Sequence, residues 1–171
     1  EVVVGITKAG TVKLHTLKHF NMSGKEFSEK TTDSDIYRKL IQTNTSKTLM
    51  FFTNLGNAFK LTAGDIPEHK MKDRGIEFNV MFKEAVAGEF PVAVFEMPDA
   101  ENAEECAKNL LFFSKAGMIK KTAWSEYFLL KNYFQATKFK DDDYLVDVQS
   151  ENTNPKCTIL FVTKLGMALN A

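Results

Sequence analysis

Lysine residues recur at equivalent positions along this chain, and a repeated row of ammonium groups is suited to contact successive phosphates. Lys13 and Lys120 each stand three residues after a glycine, and Lys60 and Lys121 each stand four residues after one. A Lys or Arg that neutralises a phosphate adds to a salt-dependent affinity without reading a base. This pattern predicts sequence-independent contact with a nucleic-acid backbone. The candidate contact residues are Lys13, Lys60, Lys70, Lys72, Arg74, Lys115, Lys120, Lys121 and Lys131.

Lysines on strands also have a simpler use, because they keep a surface soluble and protect an exposed sheet edge. For any single lysine both interpretations stay open, whereas the recurrence favours phosphate contact for the set. The distribution of charge supports this preference, although 22 basic and 22 acidic residues cancel overall. Residues 108–140 carry seven basic side chains and one acidic one, residues 84–107 carry seven acids and no Lys or Arg, and residues 141–151 carry five acids and no Lys or Arg. Such segregation can make one edge of a neutral protein positive.

Other residue types give no catalytic or metal site. His15, His19 and His69 lack a spacing typical of a metal or catalytic pair. The three aspartates at residues 141–143 could suggest a cation site, but an acidic turn before a strand is the preferred interpretation. We find no glycine-rich phosphate loop and no serine with an evident base, so we expect the chain to be catalytically inert and to carry no cofactor.

Four similar hairpins would carry the lysines. Each has an apolar strand, a turn that ends in glycine and a second strand, with Thr or Ser three residues before the glycine. Glycine can adopt the positive φ that a tight hairpin turn needs. The turn glycines are 46, 61 and 49 residues apart, near the length of a four-stranded propeller blade. The hairpins are residues 1–14, 48–61, 109–122 and 157–171, with turn glycines Gly10, Gly56, Gly117 and Gly166.

A second half of the repeat also recurs. Residues 27–42 and 134–149 each contain an acidic turn before an alternating strand that ends in Gln. Two strands in each half predict an all-β, propeller-like domain of four-stranded blades, with about three and a half repeats in one domain. The approximate blade boundaries are 1–47, 48–108, 109–155 and an incomplete 156–171.

The remaining segments of the second and third repeats are assigned from their position within the repeat. Residues 75–82 and 91–95 are predicted strands of the second repeat. Residues 98–108 interrupt the period and are predicted to be a polar surface insertion with room for a short helical turn. Residues 124–133 resemble an amphipathic helix, but their place after a hairpin, like that of residues 17–21, favours a connection.

The composition is that of a folded protein, with 44% hydrophobic residues and 15 Phe. Cys106 and Cys157 form neither a disulfide framework nor a close metal pair. No apolar run approaches the roughly 20 residues that cross a bilayer, and the N-terminal residues lack a signal-peptide pattern. We expect a cytoplasmic protein with no membrane partner.

The repeat resembles the C-terminal DNA-binding domain of the A subunit of bacterial type IIA topoisomerases, DNA gyrase and topoisomerase IV. The passages that carry the resemblance are LLFFSKAGMIKKT at residues 110–122 and TLMFFTNLGNAFKLTAGDIP at residues 48–67, followed by Arg74 and Gly75. The resemblance implies a β-pinwheel, a propeller-like disc whose blades exchange strands and whose basic rim binds and bends duplex DNA. It also implies a parent enzyme in which ATP and Mg²⁺ are handled elsewhere. The implied partners are the ATPase B subunit, the other domains of the same A chain, and duplex DNA.

One motif of the family differs in this chain. The gyrase domain carries a Q-R-R-G-G-K-G box after its first hairpin, and residues 21–27 here read NMSGKEF, which retain Gly24 and Lys25 of it. Because the box is tied to wrapping DNA with a fixed sign, its loss favours a topoisomerase IV-like or diverged gyrase-like subunit. The competing hypothesis is a protein-interaction propeller whose acidic residues 84–107 meet a basic partner. An orphan enzyme is a third hypothesis, but no constellation of residues supports it.

Overall fold

The computed structural model describes residues 1–23, 36–140, 142–151 and 158–170. This part of the chain consists of short antiparallel strands with three helices of seven residues or fewer. The four hairpins are β1 (Val2–Thr7) with β2 (Thr11–Thr16), β4 (Thr48–Thr53) with β5 (Asn57–Thr62), β8 (Asn109–Ser114) with β9 (Ile119–Ala123), and β12 (Leu160–Val162) with β13 (Ala168–Asn170). The other strands are β3 (Tyr37–Thr43), β6 (Ile76–Glu77), β7 (Pro91–Glu96), β10 (Tyr133–Gln135) and β11 (Leu145–Ser150). The predicted all-β fold and all four predicted hairpins are confirmed.

The hairpin turns share one set of hydrogen bonds, which explains the recurring Thr or Ser three residues before glycine. At the second turn, Gly56 N donates to Thr53 O at 2.9 Å and Asn57 N donates to Thr53 Oγ1 at 3.3 Å. The same pair of bonds forms at the other three turns, with N–O distances between 3.0 and 3.2 Å. All four turn glycines have φ between 81° and 84°, the left-handed region that glycine adopts without strain.

The sheets exchange strands between successive repeats. The first sheet has the order β3-β1-β2-β6, and β6 comes from the second repeat. The second sheet has the order β10-β5-β4-β7, and β10 comes from the third repeat. The third sheet has the order β11-β8-β9, and β12 pairs with β13 in a two-stranded sheet. The second strand of a hairpin is therefore covered, in the first two sheets, by a strand that arrives from the following repeat.

The hydrophobic core lies between the sheets, and β4 contributes to it on both faces. Leu49 and Phe51 point into a cluster shared with the first sheet, whereas Met50 and Phe52 point into a cluster shared with the third. All four side chains are fully buried. In the second cluster Phe52 meets Phe112 edge-to-face at a centroid distance of 5.1 Å. Because both faces are covered, the strand reads as a continuous apolar run instead of an alternating one.

Three connections contain helices. α1 (Leu17–Ser23) follows the first hairpin, α2 (Phe78–Met81) follows β6, and α3 (Ala103–Ala107) lies in the polar insertion, where the sequence left room for it. The connection predicted after β9 contains a 3-10 turn at Trp124–Tyr127. The prediction of one strand over residues 75–82 was wrong beyond β6. Phe78 and Phe82 both pack on Phe59, with ring-centre distances of 5.1 and 4.9 Å. Residues four apart in an extended strand are separated by about 13 Å, so the helical turn is what brings both rings to one partner.

Several sequence features discussed above lie at least partly outside the described residues. They are the acidic turn at residues 33–35, residues 24–27 of the stretch that replaces the glycine-rich box, Asp141 of the second acidic turn, and Cys157.

Candidate nucleic-acid interface

Most of the predicted contact residues lie along one equivalent edge of the sheets, which holds the second strand of each hairpin and on which the first two sheets receive a strand from the following repeat. We call it the exchanged edge and define it as β2, β5 and β9 together with the segments that cover them, residues 69–77 on β2 and residues 128–135 on β5. Eight of the nine predicted lysines and arginines lie on these strands and segments, and Lys115 instead lies at the turn between β8 and β9. Equivalent strands of three successive sheets therefore carry basic residues.

Three positive charges lie close together in the basic loop, residues 69–75, which precedes β6. Lys70, Lys72 and Arg74 are all exposed at its surface. Asp73 shapes the loop because its Oδ2 accepts a hydrogen bond from Lys70 N at 2.8 Å, while Asp73 N donates to Lys70 O at 3.0 Å. Gly75 ends the loop with φ +80° and packs against β2, where a Cβ would lie 2.6 Å from Val12 O. Three cations thus project from a loop whose backbone is tightly seated.

One face of β2 holds the basic loop through the loop's own carbonyl oxygens. Alternate residues of a strand share a face, and three alternate polar residues of β2 each contact a different carbonyl. These contacts join Thr11 Oγ1 to Arg74 O at 2.7 Å, Lys13 Nζ to Met71 O at 3.3 Å, and His15 Nδ1 to His69 O at 2.6 Å.

The sequence predicts that the side chain of Lys13 points outward, whereas the structure buries it. Only 1% of its surface is exposed, and its ammonium group lies under the basic loop, 5.8 Å from the centre of the Tyr37 ring. Both faces of β2 are covered, since Val12 and Leu14 enter the core and the opposite face meets the loop from the next repeat. Lys13 is therefore not a surface cation in this structure.

One hydrogen bond of His15 fixes its neutral tautomer. A carbonyl oxygen only accepts, so Nδ1 carries a proton for His69 O. Nε2 lies 2.6 Å from the Tyr37 hydroxyl, which can donate to the neutral ring or accept from the charged one. Burial lowers the pKa of His15 below 6.5 because desolvation disfavours the charged ring, and the nearby charge of Lys13 acts in the same direction.

The corresponding loop of the second sheet is the leucine loop, residues 128–132, which precedes β10. Leu129 and Lys131 are exposed, and Leu130 is fully exposed. Lys60 is half-buried beneath this loop, where its Nζ donates to Leu129 O and lies 6.0 Å from the Phe134 ring centre. Burial lowers the pKa of Lys60. Lys131 is thus the surface cation here, and Lys60 contacts the backbone beneath it.

The remaining predicted residues have mixed surroundings. Lys120 and Lys121 are exposed on β9, where Lys120 Nζ donates to Ala136 O at 3.2 Å and Lys121 Nζ forms an ion pair with Glu151. Lys115 is also exposed, with its Nζ 5.1 Å from the centre of the Tyr144 ring.

Several acidic residues of the acid-rich segments 84–107 and 141–151 form hydrogen bonds or ion pairs within the fold. Glu89 is 6% exposed and accepts from the Thr53 hydroxyl at 2.6 Å, and Glu96 accepts from the Thr43 hydroxyl at 2.7 Å. Asp147 pairs with Lys39 at 2.9 Å.

The described residues show neither a metal cluster nor a membrane span. Across residues 1–23, 36–140, 142–151 and 158–170, no three His, Cys, Asp or Glu side chains are grouped as metal ligands would be. In those same ranges, no helix has the length and apolar character needed to cross a membrane.

Sequence reasoning missed the residues that hold the loops. Thr11 and His15 alternate with apolar residues along β2, which was a visible signal that one face of the strand is polar. Their partners were not visible, since His15 and His69 are 54 residues apart and the carbonyl that His15 contacts has no side-chain signature.

Comparisons with known proteins agree with this architecture. A family model for the DNA gyrase C-terminal domain, a β-propeller, matches residues 47–77 and 108–150. The A subunit of DNA topoisomerase 4 from Bacillus subtilis (strain 168) is 31% identical over 99% of this chain and 20% of that protein. The A subunit of DNA gyrase from Streptococcus pyogenes serotype M1 is 33% identical over 68% of this chain and 14% of that protein. A crystal structure of the C-terminal domain of DNA topoisomerase IV matches with a TM-score of 0.76 and 28% identity, over 99% of this chain and 50% of that one. The chain thus spans a fifth or less of these two curated relatives and half of the solved chain.

Proposed function

Because the chain is a β-pinwheel homologous to the C-terminal domains of the A subunits of DNA gyrase and topoisomerase IV, we propose that it binds duplex DNA along the exchanged edge. The observation that carries the proposal is the basic loop, which exposes Lys70, Lys72 and Arg74 from a firmly seated backbone. Lys131 extends the row on the second sheet, and Lys120 with Lys121 extends it on the third. Contacts of this kind go to phosphates, so binding is largely independent of sequence.

The proposed contact set is smaller than the one predicted from sequence. Lys13 is buried and Lys60 is half-buried, and both donate to backbone carbonyls beneath the loops, so we leave both out of the phosphate contacts. Lys120 stays in the set because it is exposed, although its Nζ also donates to a carbonyl, Ala136 O. Lys115 lies in the turn between β8 and β9, beside the strands and segments that define the exchanged edge, and is a peripheral candidate. Lys121 contributes less than a free cation because Glu151 partly neutralises it.

The proposal is tested by removing the charge of the basic loop. Lys70→Ala, Lys72→Ala and Arg74→Ala together remove three phosphate contacts, so the slope of log affinity against log salt should become shallower by about 2.7. A charge-matched control replaces Lys8, Lys83 and Lys164, which are exposed outside the exchanged edge. Affinities are measured by gel shift with linear duplex DNA. Equal slopes for the two triple variants would overturn the assignment of the basic loop.

Contact along three successive sheets would bend the duplex, because the equivalent strands follow one another around the disc. Ligation of a nicked circle in the presence of the protein measures whether that bend has a preferred hand. We expect binding without a topoisomer shift, given that residues 21–27 lack most of the glycine-rich box. A shift of constant sign would contradict that expectation and favour a gyrase-like protein.

The role proposed for the parent protein follows from the same homology. It would be a type II topoisomerase that acts in the cytoplasm, with ATP and Mg²⁺ handled by its other domains and by the ATPase B subunit. This domain would hold and orient a DNA segment without catalysing a step. The competing hypothesis, a protein-interaction propeller, predicts that duplex DNA does not bind even at low salt.

A further inference from the structure

In two successive sheets, a lysine on the second hairpin strand donates to a backbone carbonyl of the loop that arrives from the next repeat. Lys13 Nζ meets Met71 O in the basic loop, and Lys60 Nζ meets Leu129 O in the leucine loop. We propose that Lys13 and Lys60 are positioning residues, which fix these loops for DNA contact without touching phosphate themselves. This inference rests on the proposed function for its consequence, but its structural part can be tested without DNA.

The first positioning contact lies in a closely fitted site. The stem of Lys13 runs directly beneath Gly75, where a Cβ would lie 2.7 Å from Lys13 Cγ. The ammonium group reaches the carbonyl of Met71, which stands between the exposed side chains of Lys70 and Lys72. A loop backbone that is held at this point carries its cations at fixed positions. The conformational entropy of the loop backbone is then lost on folding and is not lost again when DNA binds.

The second positioning contact holds a loop at both ends from one residue. Lys60 N donates to Asn132 O at 2.7 Å, and Lys60 Nζ donates to Leu129 O. The backbone between these two carbonyls carries Leu130 and Lys131 at the surface. Lys60 thus sets the shape of the short segment that presents Lys131.

An ammonium group suits this task because carbonyl oxygens only accept, and a charged donor forms a stronger bond than a neutral one. Methionine has a stem of similar length without a donor. The variants Lys13→Met and Lys60→Met therefore remove the contact while they preserve most of the packing.

Native-state trypsin cleavage tests the positioning contacts directly. Trypsin cuts after Lys and Arg, and cleavage of a folded protein follows the local opening of the segment that is cut. Lys13→Met should speed cleavage after Lys70, Lys72 and Arg74 by about tenfold, the effect of one lost hydrogen bond to a charged group. Lys60→Met should do the same after Lys131 and leave the basic loop unchanged, and the exposed control Lys8→Met should alter neither loop. Unchanged cleavage in both loops, or equal acceleration at both loops in each variant, would overturn the inference.

A double-mutant cycle on DNA affinity then separates positioning from direct contact. Lys13→Met should weaken binding about tenfold in the wild-type background but have no further effect once the three basic-loop cations are replaced by alanine. An equal loss in both backgrounds would mean that Lys13 itself contacts phosphate, and would overturn the inference. If wild-type protein does not bind DNA, the proposed function fails while the cleavage result still decides the structural part. If Lys13→Met does not fold, Thr11→Val takes its place, because it removes the 2.7 Å bond to Arg74 O in the same loop.

Discussion

The turn glycine of the second hairpin should be far less replaceable than that of the third, although both have the same backbone conformation. Gly56 has φ +82° and Gly117 has φ +84°. Alanine in this left-handed region costs about 1–2 kcal/mol at either position. The surroundings differ, since a Cβ at Gly56 would lie 2.4 Å from Thr137 O, whereas no heavy atom of the described residues lies within 4 Å of a Cβ at Gly117.

The additional loss at Gly56 can be worked from the contacts that the third repeat makes there. Ala136 N and Thr137 N both donate to Gly56 O at 2.9 Å, and a side chain at this point would push the segment away. Two hydrogen bonds contribute about 2 kcal/mol. We therefore expect Gly56→Ala to lower the free energy of unfolding by about 2 kcal/mol more than Gly117→Ala does, or to lower Tm by about 4–8 °C more.

Urea denaturation and thermal melting of the two variants measure this difference. Because the backbone strain is common to both variants, the difference between their free energies of unfolding measures how much the contact of the exchanged segment with the second hairpin stabilises the fold. Equal losses in the two variants would refute the inference that strand exchange between repeats stabilises the disc at this point.

Two further predictions concern the core and the polar face of β2. Phe52→Ala should cost about 3–5 kcal/mol in urea denaturation because Phe52 is fully buried, whereas Leu130→Ala, at a fully exposed position, should cost almost nothing; similar losses would contradict the assigned core. Burial lowers the pKa of His15 in the folded state below 6.5, so the unfolded state binds more protons as the pH falls through 6.5, and stability should decline there. His15→Gln should remove that part of the decline, measured as Tm between pH 7.5 and 5, and an unchanged decline would exclude His15 as its source.

Much of the fold could be predicted because it is encoded locally. The Thr or Ser three residues before glycine binds the backbone of its own turn, so each hairpin carries its signature within a few residues. The apolar run of β4 predicted a hairpin strand, whereas its burial on both faces was found only in the structure. The helix after β6 was missed because Phe78 and Phe82 fit either a strand or a helical turn until their common partner, Phe59, is known.

The candidate site was less predictable, because burial of a lysine depends on what covers it. Lys13 and Lys120 occupy the same place relative to their turn glycines, yet Lys13 lies under the basic loop while Lys120 is exposed. The difference arises from residues 69–75, which follow Lys13 by more than fifty positions in the chain. Strand exchange of this kind leaves no local pattern around the lysine itself.

Binding of linear duplex DNA by the 171-residue chain across a salt series tests the central claim most directly. We expect log affinity to fall against log salt with a slope of about −3.6 or steeper, because four exposed cations each contribute one phosphate contact. These cations are Lys70, Lys72, Arg74 and Lys131. A slope of that size, independent of the DNA sequence, is the result we expect. Absence of binding at low salt would contradict the account and leave the protein-interaction propeller as the better hypothesis.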